Sequence, residues 1–163
     1  MIKRTVILLL LACFLALFPL AAANVSVLVM ETGLPREGPS SQYSEMWENG
    51  LMDVLFEMGH IVSNAPILRV METPSDGFPG AAQKDYNMAI EGGMGYFFIA
   101  IVNHPSPRGT EIPRPLNVNL RLFNTKDGKM LQEQKYTDKS FKTEKEEYEN
   151  IKMTIANMTN GLR

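Results

Sequence analysis

Hydrophobic and polar positions alternate along "NVSVLVME", residues 24–31, with valine at every second place. That period of two predicts a first strand. "TGLPREGPS" follows, with two glycines and two prolines, and reads as a loop. From Ser41 the period changes. Tyr43, Met46, Trp47, Leu51, Val54, Leu55 and Met58 fall on one helical stripe. Ser40 or Ser41 is placed to cap this helix, and Gly59 stands where a terminating glycine belongs. "HIVSNAPI" predicts a short second strand, and residues 65–79, with three prolines, a long connection.

A second helix is predicted over 81–93, buried through Ala82, Tyr86, Ala89 and Ile90 and ended by Gly92-Gly93. "GYFFIAIVN" (95–103) is continuously apolar, as a strand covered on both faces is. A Pro-rich loop (104–115) leads to a hairpin. Its first arm sets Leu116, Val118, Leu120 and Leu122 against Asn117, Asn119 and Arg121. Its second arm, beyond Asp127-Gly128, is mostly polar. The turn sets Leu122 opposite Leu131, and the second arm reads as an edge strand, with Lys129 and Lys135 discouraging stray pairing. A partner that docks by adding a strand would meet Gln132, Gln134 and Lys135, the candidate partner-binding residues. Thr143 and Glu146 then form a capping box for a last helix with Tyr148, Ile151, Ile155 and Met158 on its apolar face.

The order β-α-β-α-β-β-β-α predicts an α/β fold. It is a single three-layer-like domain over 24–163, a mixed sheet of about five strands with three helices.

The ends and the composition add a compartment. Lys3 and Arg4 precede "TVILLLLACFLALFPL", and Ala21, Ala22 and Ala23 close the segment. Charged start, apolar middle and small-residue end make a secretory signal peptide over 1–23, cut after Ala23. A retained membrane anchor is the alternative. "LLAC" loosely resembles a lipidation site at Cys13, but the apolar run continues past it, so Cys13 reads as part of a discarded signal. Cleavage removes the one cysteine and two of 16 basic residues, leaving 14 against 18 acidic. An exported domain without cysteine relies on its core. Its acidic balance gives no footprint for nucleic acid. Periplasmic or outer-membrane-associated localisation follows.

Enzymatic motifs are scarce. The chain has two histidines, no HExxH and no GxSxG. Its methionines are scattered, so neither metal nor cofactor is expected. One constellation remains. Ligands of open α/β sheets sit at the carboxyl ends of parallel strands. There Glu31, Asn64, Asn103 and His104 would gather, joined by Arg36 and Arg108 from the loops. His104 with Glu31 could do acid–base work. Against this, a loop histidine beside prolines is expected to be solvated. His60 reads as a capping or packing residue.

Three segments carry a resemblance. "LMDVLFEMGHIVS", "AAQKDYNMAIEGGMGYFFIAIVN" and "LNVNLRLFNTKDGKMLQEQKYT" resemble successive segments of an envelope superfamily. It includes the N-terminal domain of TolB, the curli secretion lipoprotein CsgG and the LpoB-like activators of penicillin-binding proteins; some flagellar assembly proteins share the fold. The likeness spans about 30–160. The family's Gly-Ala-Asp is here Gly93-Met94-Gly95. The resemblance implies a non-enzymatic exported protein that binds an envelope protein partner and assists assembly of an outer-membrane, peptidoglycan-linked or flagellar structure. The alternative is a small-ligand-binding or hydrolytic periplasmic protein using the cluster around His104 and Glu31.

Overall fold

A computed structural model describes residues 22–71, 74, 77–107, 111–137 and 143–162. The leader through residue 21, with Cys13, and the loop residue Arg108 lie outside the described residues. The elements are β1 (Asn24–Thr32), α1 (Gln42–Glu57), β2 (Ile61–Asn64), β3 (Leu68–Arg69), α2 (Gln83–Glu91), β4 (Tyr96–Asn103), β5 (Asn117–Asn124), β6 (Met130–Thr137) and α3 (Glu144–Thr159). One sheet runs in the order β2-β1-β4-β5-β6, with β3 also paired to β1. β2, β3 and β4 are parallel to β1, and β5 and β6 close the sheet antiparallel. The fold is α/β with three helices and a mixed sheet, as the sequence predicts. β3 is an added strand, inside the stretch read as a plain connection.

The two faces of the sheet carry separate cores. Val25, Val27, Val29, Phe98, Ala100, Val102, Val118, Leu120 and Leu122 point to the face covered by α1 and α3. Trp47, Leu51, Val54 and Leu55 come down from α1, and Ile151, Ile155 and Met158 from α3. Leu28, Met30, Phe97, Ile99, Ile101 and Phe123 point the other way, under α2 and its Ala82, Tyr86 and Ala89. β1 and β4 are therefore buried on both faces, and their central residues, Val27–Met30 and Phe97–Val102, are unbroken apolar runs. The helices need only one apolar stripe each. Ile90, predicted as part of the stripe of α2, is 46% exposed. This helix lies alone on its face and rests on Ala82, Tyr86 and Ala89, which leaves Ile90 at the margin.

Local signals set the helix ends. Ser41 Oγ accepts from the N–H groups of Tyr43 and Ser44, at 3.1 and 3.3 Å, and Thr143 Oγ1 accepts from that of Glu146 at 3.2 Å. These side chains satisfy donors that a helix leaves open in its first turn. Among the described residues no helix is long and apolar enough to cross a membrane. His60 is a packing residue, 8% exposed, and its Nδ1 accepts from the backbone N–H of Ala23 at 3.2 Å.

Two glycines with the same backbone conformation differ in surroundings. Gly33 leaves β1 at φ +80, and a Cβ there would lie 2.0 Å from the carbonyl oxygen of His104. Gly59 ends α1 at φ +80 with nothing within 4 Å of such a Cβ. The left-handed conformation alone costs an L-residue about 1–2 kcal/mol. Gly59→Ala is expected to lose that much, and Gly33→Ala about 3 kcal/mol or more once backbone overlap is added. Urea unfolding of the two variants measures the difference.

Candidate functional site

β1, β3 and β4 end at one rim of the sheet. Glu31, near the end of β1, is paired in register with Arg69 of β3 on one side and Val102 of β4 on the other. The carboxylate of Glu31 is 1% exposed. Arg69 Nε and Nη2 donate to its Oε2 at 2.9 and 2.7 Å. The same guanidinium donates to the carbonyls of Pro35 at 2.8 Å and Pro39 at 2.7 Å. The other carboxylate oxygen, Oε1, accepts from the backbone N–H of Ser41 at 2.6 Å, the residue that caps α1. Negative charge at a helix N-terminus is favoured by the helix dipole. Both oxygens of Glu31 thus serve one purpose, tying the β1–α1 loop to the sheet.

The neighbouring strand ends are joined by side chains. Thr32 Oγ1 donates to Asn103 Oδ1 at 2.9 Å, and Asn103 Nδ2 to Asn117 Oδ1 at 2.8 Å. These three are register partners on β1, β4 and β5, so the contacts form a polar rung across the rim. His104 follows, and it is 5% exposed. Its ring Nδ1 lies 2.8 Å from the carbonyl of Pro113. A carbonyl only accepts, so Nδ1 carries the proton and Nε2 is a bare acceptor. Nε2 is buried without a hydrogen-bond partner among the described residues. Burial pushes the His104 pKa below its ordinary value; the Pro113 carbonyl and the Glu31 charge push it back up, and the Arg69 charge pushes it down.

The structure corrects the predicted cluster in several ways. Glu31, Asn103 and His104 do come together. Asn64 does not, because β2 ends low: it is paired with Val27, four residues before Glu31, and its amide donates to Glu48 at 3.1 Å. Arg36 is exposed, and the guanidinium that meets Glu31 is that of Arg69. His104 is buried, not solvated, and the Pro113 carbonyl lies against its ring. Acid–base work by Glu31 would need a free carboxylate oxygen, and both are engaged. The signal for Arg69 was a single cation inside the apolar run "ILRV", beside an equally isolated acid in "VLVME".

Two hollows open beside this rim. One, of about 720 Å³, lies between Tyr43, Pro105, Pro107, Pro113 and Arg114. The other, of about 230 Å³, lies between Leu34, Pro39 and Arg69 and shares Pro107 and Ile112 with the first. Arg114 lies 5.6 Å from the centre of the Tyr43 ring, over its face, and pairs with the buried Glu147 of α3. This is proline-lined surface around a fixed polar frame. Among the described residues no group of three or more His, Cys, Asp or Glu side chains is placed to hold a metal.

The other predicted surface is β6. It ends the sheet, and every residue from Met130 to Lys135 is exposed. The pairing differs in one place. Leu122 faces Gln132, not Leu131, and Phe123 faces Met130, so Leu131 is the extra residue of a β-bulge. The Asn124 N–H donates to the Lys129 carbonyl at 2.9 Å. Backbone direction alternates along a strand, so Leu122, Leu120 and Val118 also turn their N–H groups toward β6. Their partners Gln132, Gln134 and Tyr136 bond inward. Glu133 and Lys135 therefore turn their N–H and C=O groups outward. The side chain of Glu133 is held by Arg121, with Nε to Oε1 at 2.7 Å. Arg121, on the polar side of β5, is itself 2% exposed, because the segment around Gly77 and Phe78 closes over it.

No family model and no curated protein matches the chain. Several solved structures follow a similar course. The PelC dodecamer from Paraburkholderia phytofirmans is 14% identical, with 86% of this chain and 87% of that one covered and a TM-score of 0.48. Lipoprotein GNA1162 from Neisseria meningitidis is 15% identical, covering 85% and 99%, at 0.44. The LpoB C-terminal domain from Salmonella enterica is 13% identical, covering 79% and 92%, at 0.37. LpoB is among the proteins that the sequence resemblance names. Likenesses of this degree bring no activity or partner to the chain.

Removing one member of a buried ion pair leaves an uncompensated charge, at a cost of about 3–5 kcal/mol. Arg69→Met is expected to destabilise the domain by that order. Glu31→Leu with Arg69→Met should be less destabilised than Arg69→Met alone: both lose the bonds to the Pro35 and Pro39 carbonyls, but the double variant buries no unpaired carboxylate and leaves only neutral groups without partners. Chemical denaturation of the wild type and the two variants tests this. His104 has a second consequence. Its pKa is lowered from 6.5, so below that value the unfolded chain binds the proton more readily than the folded one. Its contribution to stability is complete above pH 6.5 and is lost as pH falls through the lowered value. His104→Gln should flatten the acid side of the stability–pH curve, measured by thermal unfolding.

Proposed function

We propose that this chain is a non-enzymatic, exported protein of the bacterial cell envelope. It binds another envelope protein through the open edge of β6 and assists assembly of an outer-membrane, peptidoglycan-linked or flagellar structure. The observation that carries this reading is the edge itself. Exposed from Met130 to Lys135, it is a long row of backbone donors and acceptors for strand addition. The leader pattern of residues 1–23 supports export, and the segment resemblance supports the envelope. The engagement of both Glu31 oxygens and of His104 Nδ1 favours a binding protein over a hydrolase.

Outward backbone groups carry the docking, so a proline at Lys135 removes a donor from the edge without touching the β5–β6 ladder. Lys135→Pro should lower recovery of the partner from envelope extract at least tenfold while shifting the unfolding midpoint little. Gln134→Pro removes an inward bond instead, and should cost roughly 3 kcal/mol of stability. Equal recovery with wild type and Lys135→Pro of unchanged fold would sink the edge reading.

A further inference from the structure

The β6 edge also carries a pattern that selects its own occupant. We propose that a second copy of this chain pairs with it, antiparallel, about a two-fold axis through Gln134. This rests on the reading of β6 as a docking edge and names one partner for it.

The register follows from the direction of the backbone groups. Past the bulge at Leu131, the odd-numbered residues Glu133 and Lys135 turn their donors and acceptors outward, so an incoming copy must set odd positions against odd positions there. Every two-fold axis that does so passes through a residue. An axis through Glu133 places Glu133 against its own copy, and one through Lys135 places Lys135 against its own copy. An axis at Gln132 sets the bulged Leu131 against Glu133, which interrupts the ladder. Like charges directly opposite are destabilising. The axis through Gln134 is different: Glu133 faces the copy's Lys135, twice over, and the neutral Gln134 faces itself. The four outward groups of Glu133 and Lys135 then form two hydrogen-bonded pairs. Gln132, Glu133, Gln134 and Lys135 are all exposed, so neither helix α1 nor α3 stands in the way. Glu133 is already oriented by Arg121, whose burial fixes the carboxylate where the copy's Lys135 would arrive. The same charges that discourage stray pairing thus admit one self-complementary register, as an isologous dimer requires.

Cysteine substitution reads the register directly. Gln134 would sit in a non-hydrogen-bonded pair with its own copy, with Cα atoms about 4.5 Å apart. That is within disulfide reach. Gln132 and its copy would lie about 13 Å apart along the strands, beyond it. In the full chain carrying Cys13→Ser, Gln134→Cys is expected to form a disulfide-linked dimer under mild oxidation and Gln132→Cys to remain monomeric. Light scattering of the unmodified chain should give twice the protomer mass. Lys135→Glu, which faces Glu133 with another carboxylate, should raise the dimer dissociation constant at least tenfold. Cross-linking through position 132 in place of 134 overturns the register. A monomeric wild type without a Gln134→Cys cross-link overturns self-pairing. In that case, loss of envelope-partner recovery in Lys135→Pro leaves the edge reading standing with a different strand as occupant. If the dimer forms as described but partner recovery is unchanged in Lys135→Pro, the edge serves self-pairing and the hetero-partner reading fails instead.

Discussion

The pairing of Glu31 with Arg69 organises the rim of this domain. One buried carboxylate and one largely covered guanidinium connect β1, β3, the β1–α1 loop and the first turn of α1. Each charge would be costly alone in the interior. Together they exhaust most of each other's hydrogen-bonding capacity and fix a proline-rich loop that has no ladder of its own. The helix start is set by the same contact, since Ser41 gives its N–H to Glu31 and its hydroxyl to the helix. β3 exists for a related reason. Two residues of strand are enough to bring Arg69 beside Glu31, and the Val70 N–H closes the register on the Glu31 carbonyl at 2.9 Å.

That frame occupies the place where α/β sheets usually bind ligands. Glu31 has no free oxygen, Asn103 is spent on Thr32 and Asn117, and His104 is turned inward onto Pro113. Among the described residues, an exposed end strand lies at the β6 margin of the sheet. There β6 shields β5 on one side and offers unpaired backbone on the other. The polar content of β6 is the mark of that position: a strand with no helix over its outer half gains nothing from apolar side chains and risks indiscriminate pairing. The alternation of Glu133 and Lys135 turns a general deterrent into a selective one.

Much of this was legible in the chain. The period-two pattern of β5, the unbroken apolar run of β4 and the stripes of α1 and α3 follow from burying apolar side chains at fixed spacing, which local sequence reports directly. The polar second arm of the hairpin marked the edge. Less legible were the partners of isolated polar residues. The apolar run around Arg69 marks it for burial, but that it meets Glu31 depends on the register of β3 against β1. Arg121 reads as an outward residue of an alternating strand, but the segment around Gly77 arrives from elsewhere in the chain and covers it.

The types of the main elements, their order along the chain and the exposed second arm of the hairpin follow from the chain alone, because each depends on hydrophobic period and on short-range caps and turns. Tertiary structure alone decided the pairing of Glu31 with Arg69, the burial of His104, the exclusion of Asn64 from the rim and the bulge at Leu131. These depend on where strands stop relative to one another and on which loop folds over which side chain. A short offset in β2, or one extra residue in β6, changes such contacts without changing the pattern that specifies the strand.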